Sequence, residues 1–495
     1  MSQFVHSSQF ASNAEPDVHS VRAKMIAWLV LNRSWLTTLL ASLSLHALLL
    51  VVLGSWLLPP QIDDEVISIL EAAPLQDEQL LEPEVSIDVQ PEELVDRNID
   101  DSASSVDLAV ADVAPEPFAV EVNQEDIVAA VDLVDAEAIL GTIRGDFGGR
   151  SQRGRRAALI KFGGSADSER AVNRGLKWIA SIQQKDGGWD FNDVGEASGA
   201  GSLASGRMGA TAMALLCFLG SGHSHASGTR YQKTVIRGLR YLIKNKKTVQ
   251  NEADMRGNEL GNGGMYIQGL ATIALCEAHA LTRLRNEDKQ LKQAAQDAIR
   301  FIESAQEQTG GGWRYKPNDP GDTSVVGWQI MAIKSGQASR LKVKSKTLSK
   351  ARKFLESVQV QGGAMYGYTG PQANRPGTTA VGLLSRMYLG WKRDEEALGR
   401  GVAYLSKTGP KRDNMYFNYY ATQVLHHWGG PEWKKWNDVM RPLLVNSQVR
   451  KGPGAGSWKP RDRHSGPGGR LYETALSLMT LEVYYRHMPL YRKLD

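Results

Sequence analysis

A two-helix unit recurs about every 50 residues from residue 169 to the end of the chain, and this repeat limits the fold more than any other feature. In each clear copy a helix ends near a glutamine, a glycine-rich turn with an aromatic residue follows, and an apolar helix comes next. The clear copies contain Gln183 with 186–189, Gln306 with 310–313, and Gln359 with 362–366. Weaker copies around Tyr241, Tyr404 and Leu443 bring the helical hairpins to six.

The two helices of each unit differ in polarity. The first carries charge on one side, as at Lys350, Arg352 and Lys353, whereas the second, as at 211–219, is apolar nearly all round. A one-sided helix suits an outer layer in contact with water, and an apolar helix must be buried. The sequence therefore predicts an all-α fold in which an outer ring of helices surrounds an inner one.

The pattern of glutamine, glycine-rich turn and tryptophan resembles the QW-type motif of the prenyltransferase and squalene-cyclase repeat superfamily. The resemblance covers residues 169–495, about two thirds of the chain. It implies an (α/α)6 toroid of six helical hairpins with a cavity at its centre. Trp189, Trp313 and Trp458 follow their turns at the same place in each unit, so we interpret them as packing residues of the repeat.

The N-terminal part contains one candidate membrane anchor. Residues 35–58 are 24 uncharged, mostly apolar residues, enough at about 1.5 Å each to cross a hydrocarbon core of roughly 30 Å. Basic residues precede this run and acidic residues follow it, so the positive-inside rule predicts a cytoplasmic tail at 1–34. We therefore expect a single-pass inner (plasma) membrane protein with a periplasmic or extracellular C-terminal domain. A cleavable signal peptide is the alternative, which the length of the apolar run disfavours.

Charge is divided unevenly along the chain. Residues 59–140 hold 23 Asp or Glu against one basic residue, Arg97, and are predicted to be a disordered acidic tether. Residues 141–168 are interpreted as a basic linker, and 141–495 holds 54 Lys or Arg against 29 Asp or Glu. The basic clusters at 150–156, 244–247 and 342–353 predict a partner that is an anionic envelope polymer, anionic lipid or the tether itself, with nucleic acid disfavoured by the topology. The alternative is that they are solvated faces of outer helices.

Residues 319–324 carry the candidate acid chemistry. They are similar to the Asp-x-Asp-Asp-Thr-Ala motif of squalene-hopene-type cyclases, in which a carboxyl group protonates the substrate. Asp319 and Asp322 match the first and last aspartates, but Gly321 stands where the proton donor would be. Asp319, Asp322 and Glu473 are therefore candidate catalytic residues of a rearranged acid site. The alternative for Asp322 is an N-terminal cap of an inner helix, a role that Glu473 could share at the same position of its own unit.

A second resemblance, to protein prenyltransferases, implies a zinc site that this chain does not complete. Ser324 replaces the cysteine ligand and Glu473 the histidine, so we predict no metal and no cofactor. Aromatic residues on or beside the inner helices could line a cavity for an isoprenoid or lipid, or could simply fill the core. They are Trp328, Tyr416, Phe417, Tyr419, Tyr420 and Tyr472.

The anchor has a polar stripe of its own, in which Ser42 and His46 lie four residues apart. The stripe and the long tether resemble TonB-type energy-coupling proteins, which implies protein partners through the anchor helix; plain helix association is the alternative.

Three functions remain open. The first is a ring that binds an isoprenoid, lipid or polyanionic partner without cyclase chemistry. The second is a terpenoid cyclase or prenyltransferase-like enzyme, and the third is a structural ring for protein interaction.

Overall fold

The computed structural model describes residues 147–282, 288–461 and 465–491. The predicted anchor at 35–58, with Ser42 and His46, and the predicted tether at 59–140 lie outside the described residues. Within the described ranges, no helix has both the length and the hydropathy needed to cross a bilayer.

The described chain is almost entirely helical, which confirms the all-α prediction. Outer helices alternate with inner ones. The outer helices are α2 (Ala166–Ser181), α4 (Gln232–Asn245), α6 (Lys289–Ser304), α8 (Ser345–Val358), α10 (Glu396–Thr408) and α12 (Gly430–Ser447). The inner helices are α3 (Arg207–Gly220), α5 (Gly264–Thr282), α7 (Thr323–Ala338), α9 (Pro376–Tyr388), α11 (Met415–Trp428) and α13 (Gly469–Leu481).

Helix contacts close into a cycle. Each inner helix packs against the next one along the chain, and α13 packs against α3, so the six form a ring. The outer helices pack on the outside of this ring, with α12 of the last hairpin against α2 of the first. Burial follows the same division. All of α3 from Met208 onward is buried, whereas α8 buries one face: Thr347, Leu348, Ala351, Phe354, Leu355 and Val358.

One set of side-chain contacts joins successive hairpins. The side-chain amide of Gln183 donates to the carbonyls of Gly187 in its own turn and Thr234 in the next outer helix, at 2.8 and 3.0 Å. Gln306 makes the same pair of bonds to Gly311 and Thr347. Gln448 does so with Gly456 and with Ala171 of the first hairpin. In these three copies the repeat motif therefore binds one unit to the next, and the last copy closes the ring.

The tryptophans of the motif pack as the sequence predicted. The indole nitrogens of Trp189, Trp313 and Trp458 donate to backbone carbonyls of Ile179, Ile302 and Leu444 in the preceding outer helices, at 2.7 to 2.9 Å. All three side chains are buried.

Several elements were not predicted. Two short antiparallel hairpins pair β1 (Lys247–Val249) with β2 (Glu252–Asp254) and β3 (Gln359–Val360) with β4 (Met365–Tyr366). Within 141–168, the 3-10 turn Gly148–Arg150 and helix α1 (Gln152–Phe162) pack against the final helix α14 (Val483–Arg486). The indole of Trp433 in α12 donates to the Phe162 carbonyl at 3.0 Å. The folded ring domain therefore begins before residue 169.

Candidate functional site

Asp322 lies at the start of inner helix α7 and is fully buried. Its Oδ1 accepts a hydrogen bond from the Val325 N–H at 2.8 Å, the geometry of an N-terminal cap, and its Oδ2 lies 3.8 Å from Nε of Arg314. A backbone N–H and a guanidinium are partners that a carboxylate attracts, whereas a proton donor needs its acid form. The predicted capping role of Asp322 is present in the structure.

Tyrosines surround this carboxylate. The guanidinium of Arg314 lies over the rings of Tyr315 and Tyr368, at 4.9 and 5.6 Å, and the two hydroxyls are 2.6 Å apart. Burial raises the pKa of Tyr266 well above its usual value, and the nearby charge of Asp322 adds to the effect. Burial likewise raises the pKa of Tyr315. The site therefore combines one carboxylate and one guanidinium with phenols that keep their protons at neutral pH.

The other two candidate acids do not share the role of Asp322. Asp319 lies in a partly exposed turn, where its Oδ2 accepts a hydrogen bond from the Lys316 N–H at 3.0 Å. Glu473 is buried but lies one turn inside α13, which begins at Gly469, so the predicted capping role is wrong for Glu473. The position in the unit that Asp322 and Glu473 share therefore lies at different distances from the starts of their helices.

Gly321 stands where the cyclases have their proton donor, and packing explains why. A Cβ atom at this position would lie 2.6 Å from ring atoms of Phe354 and 2.7 Å from the Cα of Gly312. Real Cβ atoms do not approach this closely, so the turn accepts only glycine. The acid arrangement of the cyclases does not fit this backbone.

Four of the predicted aromatic residues meet at the centre of the ring. Trp328 of α7 stacks on Tyr419 of α11 with ring centres 5.8 Å apart and contacts Tyr420 edge-on at 5.7 Å. Tyr416 lies 4.9 Å from Tyr420. All four are at most 3% exposed. Because α9 lies between α7 and α11 in the ring, these contacts cross the centre, and side chains of the protein close it at this level.

The remaining two predicted cavity residues differ. Tyr472 belongs with the central cluster: burial raises the pKa of Tyr420 well above its usual value, and the neighbouring Tyr416, Tyr419 and Tyr472 contribute. Phe417 was predicted to line the cavity, but its ring packs edge-on against Trp436 of outer helix α12 at 5.8 Å. Phe417 follows Tyr416 by one residue, about 100° around the helix, and therefore points elsewhere.

A buried ionic cluster that the sequence analysis missed lies near the ends of α3, α5 and α13. Glu277 of α5 pairs with Arg150 at 2.7 Å and with Arg486 at 3.1 Å, and Arg486 lies 3.5 Å from Glu482. The hydroxyl of Ser221 donates to Glu482 at 2.8 Å. The sequence did contain a signal for this cluster. Glu277 interrupts an otherwise apolar inner helix, and a buried charge of this kind needs a partner.

The pKa values of the two acids in this cluster shift in opposite directions. Burial disfavours the ionised form of Glu277, yet Arg150 and Arg486 together hold its pKa below the usual value. Burial raises the pKa of Glu482 to about 8, against the attraction of Arg486. The cluster therefore carries two guanidinium groups, one carboxylate and one carboxyl group that stays protonated at neutral pH.

The three basic clusters of the sequence have different surroundings. Arg150 is buried in the ionic cluster, and Arg155 pairs with Glu169, so the cluster at 150–156 is only partly solvated. Lys244 and Lys247, near the end of α4, are exposed. In the third cluster Lys342, Lys344, Lys346, Arg352 and Lys353 are exposed. The second and third clusters are accessible to a large anionic partner.

His426 and His427 are buried, and burial lowers their pKa values to about 4 and about 3. Nε2 of His426 lies 2.9 Å from the His487 carbonyl. Across the described ranges, no three His, Cys, Asp or Glu side chains are grouped so that they could hold a metal ion.

No family model matches the chain, and a search of curated proteins finds none that is similar in sequence. Over its C-terminal two thirds the chain is distantly similar in structure to α/α toroids. The GH76A α-1,6-mannanase of Salegentibacter sp. HEL1_6 matches at 12% identity and a TM-score of 0.45, over 64% of this chain and 98% of the mannanase. The type II terpene cyclase MstE from Scytonema matches at 13% identity and a TM-score of 0.42, over 66% and 99%. Likenesses at this level concern the fold and say nothing of the chemistry.

Proposed function

We propose that this protein is an envelope protein whose ring, held outside the cytoplasm by an anchor at 35–58, binds a polyanionic partner through its exposed basic surface. The observation that carries the proposal is the contrast between the two parts of the ring. The centre is occupied by Trp328, Tyr419 and Tyr420 in mutual contact, whereas Lys342, Lys344 and Lys346 are exposed. A polyanion gains most from several cations that it can reach together.

Binding of labelled polyglutamate to the full chain in detergent tests this proposal, with neutral dextran as the control polymer. We expect binding that weakens strongly between 50 and 500 mM salt, on the order of tenfold or more, because exposed charges are screened. Reversing Lys342, Lys344 and Lys346 to Glu should weaken it further. Binding that is unchanged by salt and by the reversed charges would contradict the proposal.

The proposed location of the ring domain outside the cytoplasm is tested by a separate experiment. A reporter fused after Asp495 should be active outside the cytoplasm and remain in the membrane fraction, since one anchor and one charge asymmetry set the orientation. A soluble product would mean that 35–58 is removed as a signal peptide.

An isoprenoid or lipid at the centre is the second candidate ligand, favoured by the aromatic cluster and by a polar atom of α7 one turn before Trp328. Ser324 Oγ is buried and has no hydrogen-bond partner among the described residues, so it could bind a polar head group. Native mass spectrometry of the detergent-extracted protein should then show a co-purifying lipid that is lost in Trp328→Ala. A bare protein mass would contradict a stably bound lipid at the centre.

A further inference from the structure

The chain enters the ring domain at the rim where the inner helices end. Arg150 donates to the carbonyl of Leu219 at the end of α3 and pairs with Glu277 late in α5. The hydroxyl of Ser339, which follows α7, donates to the Cys276 carbonyl at 2.7 Å, one residue before Glu277. The connection from α7 to α8 therefore leaves the ring at the same end at which residues 147–150 enter it.

Six basic residues form one surface on this rim, which we call the rim patch. Lys289 and Lys292 lie in the first turn of α6, and the others lie in or just after the connection from α7 to α8: Arg340, Lys342, Lys344 and Lys346. The side-chain amide of Gln296 in α6 bonds both the N–H and the carbonyl of Lys342, at 2.9 Å each, which joins the two elements.

Cations dominate this patch, and all six are exposed. Among the described residues, two acids lie close by. Asp288 caps α6 through the Leu291 N–H at 3.0 Å, and Glu303 accepts from the Lys344 N–H with its other oxygen 3.6 Å from the Lys344 ammonium. The Lys344 side chain is nevertheless 70% exposed, so most of its surface is open to a further anion.

The chain itself supplies an anion of suitable size. Residues 61–140 carry 23 acidic residues against Arg97, and they precede the point of entry by only a few residues. As a coil, 80 residues span about 50 Å, against a radius of gyration of about 20 Å expected for a folded unit of this length. Covalent linkage keeps such a segment at an effective concentration on the order of millimolar.

We propose that residues 61–140 dock on the rim patch of the same chain and compete there with external polyanions. This inference deepens the proposed function, because it gives the same basic surface a partner within the chain. Anionic lipid head groups and a second copy of the chain are the other possible occupants, and the test separates them.

A zero-length carbodiimide reaction on the full chain in neutral detergent, followed by peptide mapping, tests the docking. We expect cross-links from carboxylates of 61–140 to Lys342, Lys344 and Lys346, lost in 500 mM salt. The triple change Lys342→Glu, Lys344→Glu, Lys346→Glu removes three of the target lysines. It should also weaken or abolish cross-links from 61–140 to the two remaining lysines of the rim patch, Lys289 and Lys292. The matched control Lys244→Glu, Lys246→Glu, Lys247→Glu, at the far end of α4, should leave the rim cross-links unchanged.

Cross-links spread evenly over all exposed lysines would overturn the inference. Cross-links between chains would also overturn it, and a mixture of ¹⁴N- and ¹⁵N-labelled protein reveals them. A third contradicting result is that anionic lipid moves the cross-links to other lysines, because the lipid would then be the occupant of the rim patch. Competition for the rim patch provides a second test. If residues 61–140 occupy the patch, replacing their acids with Asn and Gln should raise the affinity of the chain for polyglutamate about tenfold or more. If neutralisation changes nothing while polyglutamate still binds, the docking fails and the proposed function stands; if no polyglutamate binds in either form, the proposed function fails.

Discussion

Asp322 shows how one residue type supports two interpretations until its contacts are known. The sequence offered a cap or an acid catalyst, and the hydrogen bond to Val325 identifies the cap. The capping position of Asp322 could be predicted because helix starts have a local signature. Its contact with Arg314 could not be predicted, because that contact depends on how the glycine-rich turn folds back over α7.

The cap predicts a graded response at position 322. Asp322→Ala should lower the free energy of unfolding by about 0.5–2 kcal/mol, and Asp322→Asn by clearly less, because Asn also caps helices. Chemical denaturation of the full chain in detergent measures both. Asp319→Ala is the control, with an expected change within about 0.5 kcal/mol at a partly exposed turn. Equal losses for Asn and Ala would argue that the charge next to Arg314, rather than the cap, is what matters.

Gly321 sets a limit on engineering the site. Gly321→Ala should cost about 1–3 kcal/mol, because the new methyl group meets Phe354 and Gly312. Gly377→Ala is the matched control, since a Cβ there meets nothing within 4 Å. Restoring an acid at 321 would therefore damage the fold before it tested any chemistry. A stable Gly321→Ala protein would show that the turn can move.

Buried ionisable residues predict a stability optimum near pH 7. Burial lowers the pKa of five histidines, so the unfolded chain binds more protons as the pH falls and stability is lost. They are His223 (about 3), His426 (about 4), His427 (about 3), His225 and His487. Glu482, with a pKa of about 8, binds more protons when folded between its unfolded value near 4.5 and 8, so it removes stability as the pH rises. The histidines together outweigh the one glutamate up to about pH 7, and above it the loss from Glu482 remains.

Denaturation midpoints at pH 5.5, 7 and 8.5 check this optimum. Glu482→Gln should remove most of the fall between pH 7 and 8.5, while the exposed control Glu396→Gln should keep it. A midpoint that rises steadily through pH 8.5 would show that Glu482 ionises without cost.

At the scale of elements, the helices could be predicted more closely than the connections. The apolar second helix expected at 211–219 lies within α3, which spans Arg207–Gly220. Glycine turns and long apolar runs mark those boundaries locally. The β1–β2 hairpin and helix α1 lack such a signal, because they are held by contacts with distant parts of the chain.

Gln448 provides a test of ring closure. Gln448→Ala removes two buried hydrogen bonds, each worth about 0.5–1.5 kcal/mol, and should cost about 1–3 kcal/mol. Gln306→Ala removes the same pair of bonds between the third and fourth hairpins and should cost as much. Amide hydrogen exchange distinguishes them. Gln448→Ala should loosen α2 and α12, and Gln306→Ala should loosen α6 and α8. Identical exchange patterns would mean that the ring opens as one cooperative unit.

At the scale of the whole molecule, six copies of one motif were enough to predict an outer and an inner layer of helices. The family resemblance also implied a closed ring, but the contact that closes it could not be located, because Gln448 and Ala171 are far apart in sequence. The ionic cluster was missed for the same reason, since Arg150 and Glu277 belong to segments that no local period connects.

Limited proteolysis should show where the ring domain begins. Because Arg150 is buried among Glu277, Leu219 and Arg486, we expect the resistant core to begin before residue 148. Arg150→Ala should leave a buried carboxylate partly unpaired, cost about 3–5 kcal/mol and move the new N-terminus toward residue 166. N-terminal sequencing of the core measures this, with the exposed Arg153→Ala as control. A wild-type core that starts near 169 would contradict the packing of α1.

Arg150 also determines how a mechanical load would enter the molecule. A force that pulls on the chain before residue 147 reaches the ring at the Arg150 side chain. Its guanidinium donates hydrogen bonds to the carboxylate of Glu277 in α5, to the Leu219 carbonyl at the end of α3 and to the Arg486 carbonyl. A pull on the chain is therefore shared among the neighbouring helices α3, α5 and α14, which belong to three separate segments of the chain. A chain attached to one helix alone would instead load a single hairpin.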